Sequence, residues 1–311
     1  MPTRPSFGVT DIGLLLMALI WGVNFSVVKT GIRTLEPLAF NGLRVALAAL
    51  VLGGLSLLVR ADRWPSRRDV LHLALLGVMG NGLYQLLFIL GMARTRAGIA
   101  ALVMAAGPAY IAIISHLLGR ERLPTRAWAG IFMQLAGVGC VVASARGLDT
   151  GTHSMLGAGM IACGSLMWAV FSVLLQPYTA RTHPFHLSSI TMASGAALLL
   201  LVATPALRAL DVSSVAPTEW GAVVYAGVGA LVVAYLLFYR GVRVLGPIRT
   251  AMYGNLQPLI AIAVAWVMLH ERPTSWQLAG ASLIMGGLLL SRTAASRTTH
   301  VDAPVASAVK S

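Results

Sequence analysis

The chain has 311 residues, of which 57% are hydrophobic and 11% charged, and its mean hydropathy is +0.80. A water-soluble domain carries about 25% charged residues, so a soluble enzyme is excluded and a membrane is the expected solvent. The net charge of +13 is not a nucleic-acid signal, because the arginines fall mostly in short loops between apolar runs.

A helix crosses a bilayer with about 20 mostly apolar residues. Ten windows qualify: 11–31, 36–58, 70–92, 98–118, 127–145, 155–177, 185–204, 219–240, 247–269 and 275–292. The first begins after only about ten residues and is too long for a signal-peptide core, so it reads as a span.

Span 1 places Trp21 and Asn24 one turn apart at mid-membrane. An asparagine in hydrocarbon must be hydrogen-bonded or wet, so Asn24 serves either a helix–helix bond or a cavity wall. Span 2 holds Arg44, the sole charge within a few residues of a span centre. Charges there are costly and functional by default. Lys29 and Glu36 lie toward the outer side and can pair with each other or with Arg44. A structural or gating ion network is expected of these three ahead of direct substrate binding.

Span 3 carries Asn81, Tyr84, Gln85 and Phe88 at i, i+3, i+4 and i+7, one helical face. A cavity-lining face is expected, with polar packing against a neighbouring helix as the alternative. Spans 4 and 9 have Pro108 and Pro258 near their centres, with Met104 and Gly107 around the first and Tyr253, Asn255 and Gln257 around the second. A mid-helix proline frees a carbonyl and kinks the helix, so both are candidate hinges. In span 6, Trp168 shares a face with Ser165, and span 8 offers Tyr235 and Phe238. Cys140 and Cys163 lie inside apolar runs and read as reduced small hydrophobes, not as a disulfide or metal site. From about Thr293 the chain is rich in Ser, Thr and Ala, and a disordered tail over 293–311 is expected.

The two halves repeat. Leu86-Leu87-Phe88 returns as Leu236-Leu237-Phe238, Gly91 as Gly241, Pro108 as Pro258, Glu121-Arg122 as Glu271-Arg272 and Gly130 as Gly280, all 150 residues on. Span 6 repeats the opening of span 1 at an offset of 147, with Trp168 in the place of Trp21. Two units follow, 1–147 and 148–292. Five spans in each turn the second unit upside down, and inverted repeats mark secondary transporters. With the N-terminus in the cytoplasm the inner side holds most of the cations, including Arg60, Arg63, Arg67, Arg68, Arg120, Arg122, Arg240, Arg243 and Arg249. Both termini are therefore expected inside. The outer Arg94 and Arg96 are the main dissent.

Span 1 reads IWGVNFSVVKTGI from Ile20, and span 2 reads PLAFNGLRVALAAL with its Leu43-Arg44 pair. Span 4 ends in GPAYIAIISHLLGRERLPTRAWAG and span 9 in LQPLIAIAVAWVMLHERPTSWQLAG. In these motifs and their order the chain resembles a ten-helix member of the drug/metabolite transporter superfamily, in its EamA branch, over about residues 8–292. One departure is His270, where that family often has Gly before Glu-Arg. The resemblance implies a facilitator or exporter of small organic molecules, with a cavity lined mainly by spans 1, 3, 4, 6, 8 and 9 and with spans 5 and 10 peripheral.

No Asp or Glu lies in the middle of a span; Asp11, Glu36, Asp69 and Glu219 sit at span ends. Export or facilitated diffusion of small amphipathic solutes, such as amino acids or related metabolites, is expected, across a bacterial-type inner membrane. There is no Walker loop, GxSxG, HExxH or CxxC. No enzyme activity, cofactor, metal, nucleic acid or ATPase subunit is therefore expected. The expected partners are the lipid bilayer and a small-molecule substrate, and a monomer or weak homodimer is expected. Two alternatives stand. An antiporter of phosphorylated or nucleotide-linked solutes would need several cations converging on the cavity. A non-transporting scaffold would need no polar, aromatic faces at mid-membrane. The loop residues Glu121, Arg122, Glu271 and Arg272 are expected to cap or orient the next helix.

Overall fold

The computed structural model describes residues 8–58, 64–120, 123–144, 151–254 and 256–298. Among them every regular element is a helix and no strand occurs. The helices are α1 Val9–Gly31, α2 Pro37–Leu58, α3 Arg67–Arg94, α4 Ala97–Leu117, α5 Thr125–Ser144, α6 Gly151–Arg181, α7 Pro184–Arg208, α8 Pro217–Leu245, α9 Pro247–Gly254 continued by Leu256–Leu269, and α10 Ser275–Thr298. Nine of the described helices are long and apolar enough to cross a membrane, and a tenth apolar stretch, Ser275–Leu290, is shorter.

Local chemistry sets the starts. Proline opens α2, α7 and α8, where its missing N–H costs nothing. The Ser66 hydroxyl accepts from the Asp69 N–H at the start of α3. Glu36 caps α2, its Oε2 accepting from the Ala39 N–H at 2.8 Å. The outward faces are hydrocarbon: Leu57 is 84% exposed and Leu201 74%. Such surface is stable against lipid and not against water.

Four helices depart from regular α geometry. α3 widens to π-helix over Val78–Leu83 and α8 over Tyr225–Val233, so residues 78–83 plus 150 fall inside the second segment. α4 breaks at Ala105–Ala106 and restarts at Gly107, which puts Pro108 in the first turn of the new segment. α9 restarts at Leu256, which puts Pro258 in the equivalent turn. A proline inside a continuous helix would leave a carbonyl unpaired; in a first turn it does not.

α5 and α10 pack along each other. A Cβ on Gly280 would lie 2.7 Å from the Gly137 carbonyl, so the two backbones approach as only small residues allow. α2 runs along α7, α3 along α6, and α1 along α9.

Several sequence boundaries are corrected. The third and sixth helices run past their expected windows, to Arg67–Arg94 and to Arg181, because the amphipathic turns at the membrane surface stay helical. α10 runs to Thr298, and no Gly or Pro interrupts its last turns. Glu121, Arg122 and Asn255 lie outside the described residues.

Candidate functional site

A central cavity is walled by α1, α3, α4, α6, α8 and α9, with one side chain from α2. None of its described lining residues comes from α5 or α10.

An aromatic cluster forms one wall. Trp168 of α6 meets Tyr84, Tyr235, Phe238 and Trp21 at ring-centroid distances of 5.3, 5.2, 5.2 and 5.9 Å. Trp21 stands edge-on to Tyr235 at 5.8 Å and 90°. T-shaped and tilted pairs at these spacings are attractive beyond their buried area. The Trp21 indole N–H donates to the Ala230 carbonyl at 2.9 Å, in the π-helical stretch of α8. Tyr225, in the same stretch, donates to the Ile20 carbonyl. The widened turns of α8 are thus where α1 is fastened to it.

A polar chain joins this cluster at Tyr235. Arg44 is 1% exposed. Its Nε donates to Asn41 Oδ1 at 2.9 Å and its Nη2 to Gln85 Oε1 at 2.7 Å. The Phe40 and Phe88 rings flank the guanidinium at 5.9 and 5.4 Å. Gln85 Nε2 in turn donates to the Tyr235 hydroxyl at 3.0 Å. Arginine carries no acceptor, so it selects the oxygen of the Gln85 amide and turns the nitrogen toward Tyr235. Arg44 is the one charged side chain among the described lining residues. Asn24 also lines the cavity, 7% exposed, and its Oδ1 has no partner among the described residues.

Of the sequence candidates, Trp21, Asn24, Tyr84, Gln85, Phe88, Met104, Trp168, Tyr235, Gln257, Pro108 and Pro258 line the cavity. Asn81 does not. A face drawn at 3.6 residues per turn includes it, whereas the π-helical stretch of α3 adds a residue and turns Asn81 off that face. It is fully buried against α7, where a Cβ on Gly195 would sit 2.6 Å from its own. Tyr253 also falls outside the lining: it points along α1 and its hydroxyl donates to the Asp11 carboxylate.

The expected ion network of Lys29, Glu36 and Arg44 does not form. The one ion pair among the described residues is Arg181–Asp69 at the end of α6. Lys29 Nζ instead donates to the Met92 and Thr95 carbonyls at 2.7 and 2.8 Å, the last turn of α3. A cation at a helix C-terminus satisfies carbonyls that have no intrahelical partner. Glu271 is corrected too. Its carboxylate does not cap α10 but accepts from the Ala97 and Gly98 N–H groups, both at 3.3 Å, at the N-terminus of α4. Four orphan N–H groups there attract an anion from whichever loop is near.

The sequence reading missed Phe25, Ile111 and Thr250, all of which line the cavity. Met17, Trp21, Asn24 and Phe25 fall at i, i+4, i+7 and i+8, so helical spacing would have added Phe25.

An aromatic cavity enclosed by apolar spanning helices, with broken helices at its edge, defines a membrane transporter. The sequence profile of the EamA-like transporter family matches residues 9–143 and again 155–293, and the chain belongs to that family, within the drug/metabolite transporter superfamily. The chain is 25% identical over 281 residues to "Uncharacterized transporter YyaM" of Bacillus subtilis, covering 89% of this chain and 91% of that one. It is 26% identical over 294 residues to a "Probable terminal-alkyne amino-acid exporter" of Streptantibioticus cattleyicolor, covering 94% and 96%. It is 28% identical over 264 residues to "Uncharacterized inner membrane transporter YedA" of Escherichia coli K12, covering 83% and 81%. A solved crystal structure shares the fold with a TM-score of 0.65 at 22% identity, covering 92% of this chain and 97% of that one.

Proposed function

We propose that the chain is a secondary carrier that moves small amphipathic solutes, amino acids or related metabolites, across a bacterial-type inner membrane by alternating access. Ten spans in two inverted halves, 1–147 and 148–292, would place both termini inside.

One observation carries this reading. Gln85 and Tyr235 are repeat counterparts 150 residues apart, and they hydrogen-bond to each other. Trp21 and Trp168, counterparts at 147, also meet. Counterparts can touch only near the axis that relates the two copies, and these two pairs are walls of the cavity. A site on that axis is reached equivalently from either side when inverted halves exchange conformations. The aromatic walls suit an apolar body, and Arg44 with the free Asn24 Oδ1 suits two polar ends of opposite sign. The name of the Streptantibioticus relative supports amino acids as the class. A single cation weighs against doubly charged phosphates.

Flux in liposomes tests it. Tyr84→Ala, Gln85→Ala and Trp168→Ala should each slow transport of a responsive amino acid about tenfold or more, and normal transport by all three refutes the site. Flux should follow the substrate gradient. Accumulation against that gradient driven by ΔpH refutes the uncoupled mechanism.

A further inference from the structure

We propose that Arg44 and Tyr235 form a carboxylate seat in the cavity, held in place by Gln85, so that the carrier selects solutes bearing one carboxylate over their amides. This rests on the transport reading above and specifies the chemistry of its site.

A guanidinium has five N–H donors. Arg44 uses Nε on Asn41 and Nη2 on Gln85, and the described residues offer it no further acceptor. Nor does any carboxylate among them pair with it. Removing a cation from water without an anion is costly, and two flanking phenyl rings offset only part of that cost. A helix-packing role would be met by a neutral glutamine or histidine at far lower cost. Tyr235 is in the complementary position: its hydroxyl accepts from Gln85 Nε2, which leaves its own proton to donate. Both groups are bonded to the two ends of one planar amide and both line the cavity, so one side chain fixes the guanidinium and the phenol relative to each other. Two adjacent donors, one of them charged, match the two oxygens of a carboxylate. With one charge among the described lining residues, a monoanion is neutralised and a phosphate dianion is not.

The test uses the full chain, purified and in liposomes, with four aliphatic probes: 4-methylpentanoate and its amide, and L-leucine and its amide. Binding is read from tryptophan fluorescence, since Trp21 and Trp168 stand in the cavity, and flux from uptake. Each acid should bind about ten- to a hundredfold more tightly than its amide, the scale of one charge-assisted hydrogen bond. Gln85→Glu places an anion on Arg44 while keeping the bond to it. It should erase or invert the preference in a folded protein. Arg44→Gln should erase it as well, and if that variant fails to fold, the wild-type pairs and Gln85→Glu still decide. Equal affinity for acids and amides, or an unchanged preference in Gln85→Glu, overturns the seat. If acids and amides cross equally, transport stands and the seat falls. If none of the four binds or crosses, both fall.

Discussion

Replacing Gln85 by leucine isolates the polar chain in the cavity wall, because the two side chains are similar in size and differ in hydrogen bonding. Two bonds are lost. The first, from Arg44 at 2.7 Å, has a charged donor and is worth about 1.5–3 kcal/mol. The second, to Tyr235 at 3.0 Å, is neutral and worth about 0.5–1.5 kcal/mol. Leucine supplies no substitute acceptor, and Arg44, 1% exposed, cannot turn to bulk water. The sum is about 2–4.5 kcal/mol. At this chain length about 2 °C of melting temperature corresponds to 1 kcal/mol, so the loss is about 4–9 °C. Thermal unfolding in detergent, followed by intrinsic fluorescence, reads it directly. Gln85→Glu is the control: it retains an acceptor for Arg44 and should melt at or above the wild-type temperature. A Gln85→Leu protein melting within about 1 °C of wild type would refute the reasoning, because Arg44 would then have to be satisfied elsewhere.

His270, with φ of +57°, ends α9 in the left-handed conformation that Gly119, at +67°, adopts at the end of α4. His270→Gly removes a cost of about 1–2 kcal/mol and should raise the melting temperature by about 2–4 °C; a fall would show that the imidazole itself holds the turn. Glu271→Ala strips the carboxylate from the first turn of α4. Losing about 0.3–2 kcal/mol there should speed amide exchange of Ala97 and Gly98 roughly 2- to 30-fold by hydrogen–deuterium mass spectrometry, and unaltered exchange would refute the cap. Gly280→Val forces a side chain to within 2.5 Å of Val141 Cγ2. Overpacking of about 1–3 kcal/mol should lower the melting temperature while solute affinity holds, since neither α5 nor α10 contributes to the described cavity lining.

The helices were legible because lipid demands long apolar runs, and the broken helices were legible because Pro108 and Pro258 announce them. Spacing places the cavity face where the backbone is regular: Tyr84, Gln85 and Phe88 follow the π-helical stretch of α3 and line the cavity together. At Asn81, inside that stretch, the alternative of packing against a neighbouring helix holds in place of the cavity face, because no residue type signals a π turn. The charged groups were the least legible. Lys29, Glu36 and Glu271 each bond to backbone at a helix end. Opposite charges in a sequence suggest pairing, whereas in a helical membrane protein the orphan groups of helix termini compete for them. Which terminus wins depends on tertiary neighbours that the sequence does not name.

On the proposed reading, the repeat gives a reason for the cavity to be asymmetric. Pro37 and Pro184 open α2 and α7 at an offset of 147, and the same offset sets Arg44 against Thr191. Thr191 spends its hydroxyl on the Leu187 carbonyl of its own helix. Only one of the two counterparts therefore brings charge to the axis. Gln85 against Tyr235 is broken in the same sense, since two glutamines would leave no hydroxyl and two tyrosines no carbonyl acceptor for the arginine. Under the proposed inverted arrangement the framework must stay matched, because each half has to adopt the conformation of the other. The groups on the axis face no such demand, for the solute meets them from both sides. Under that arrangement divergence there costs no alternation, and it leaves a single cation set among aromatic rings. Under the proposed carboxylate seat, a solute anionic at one end and apolar at the other would enter with its anionic end toward Arg44.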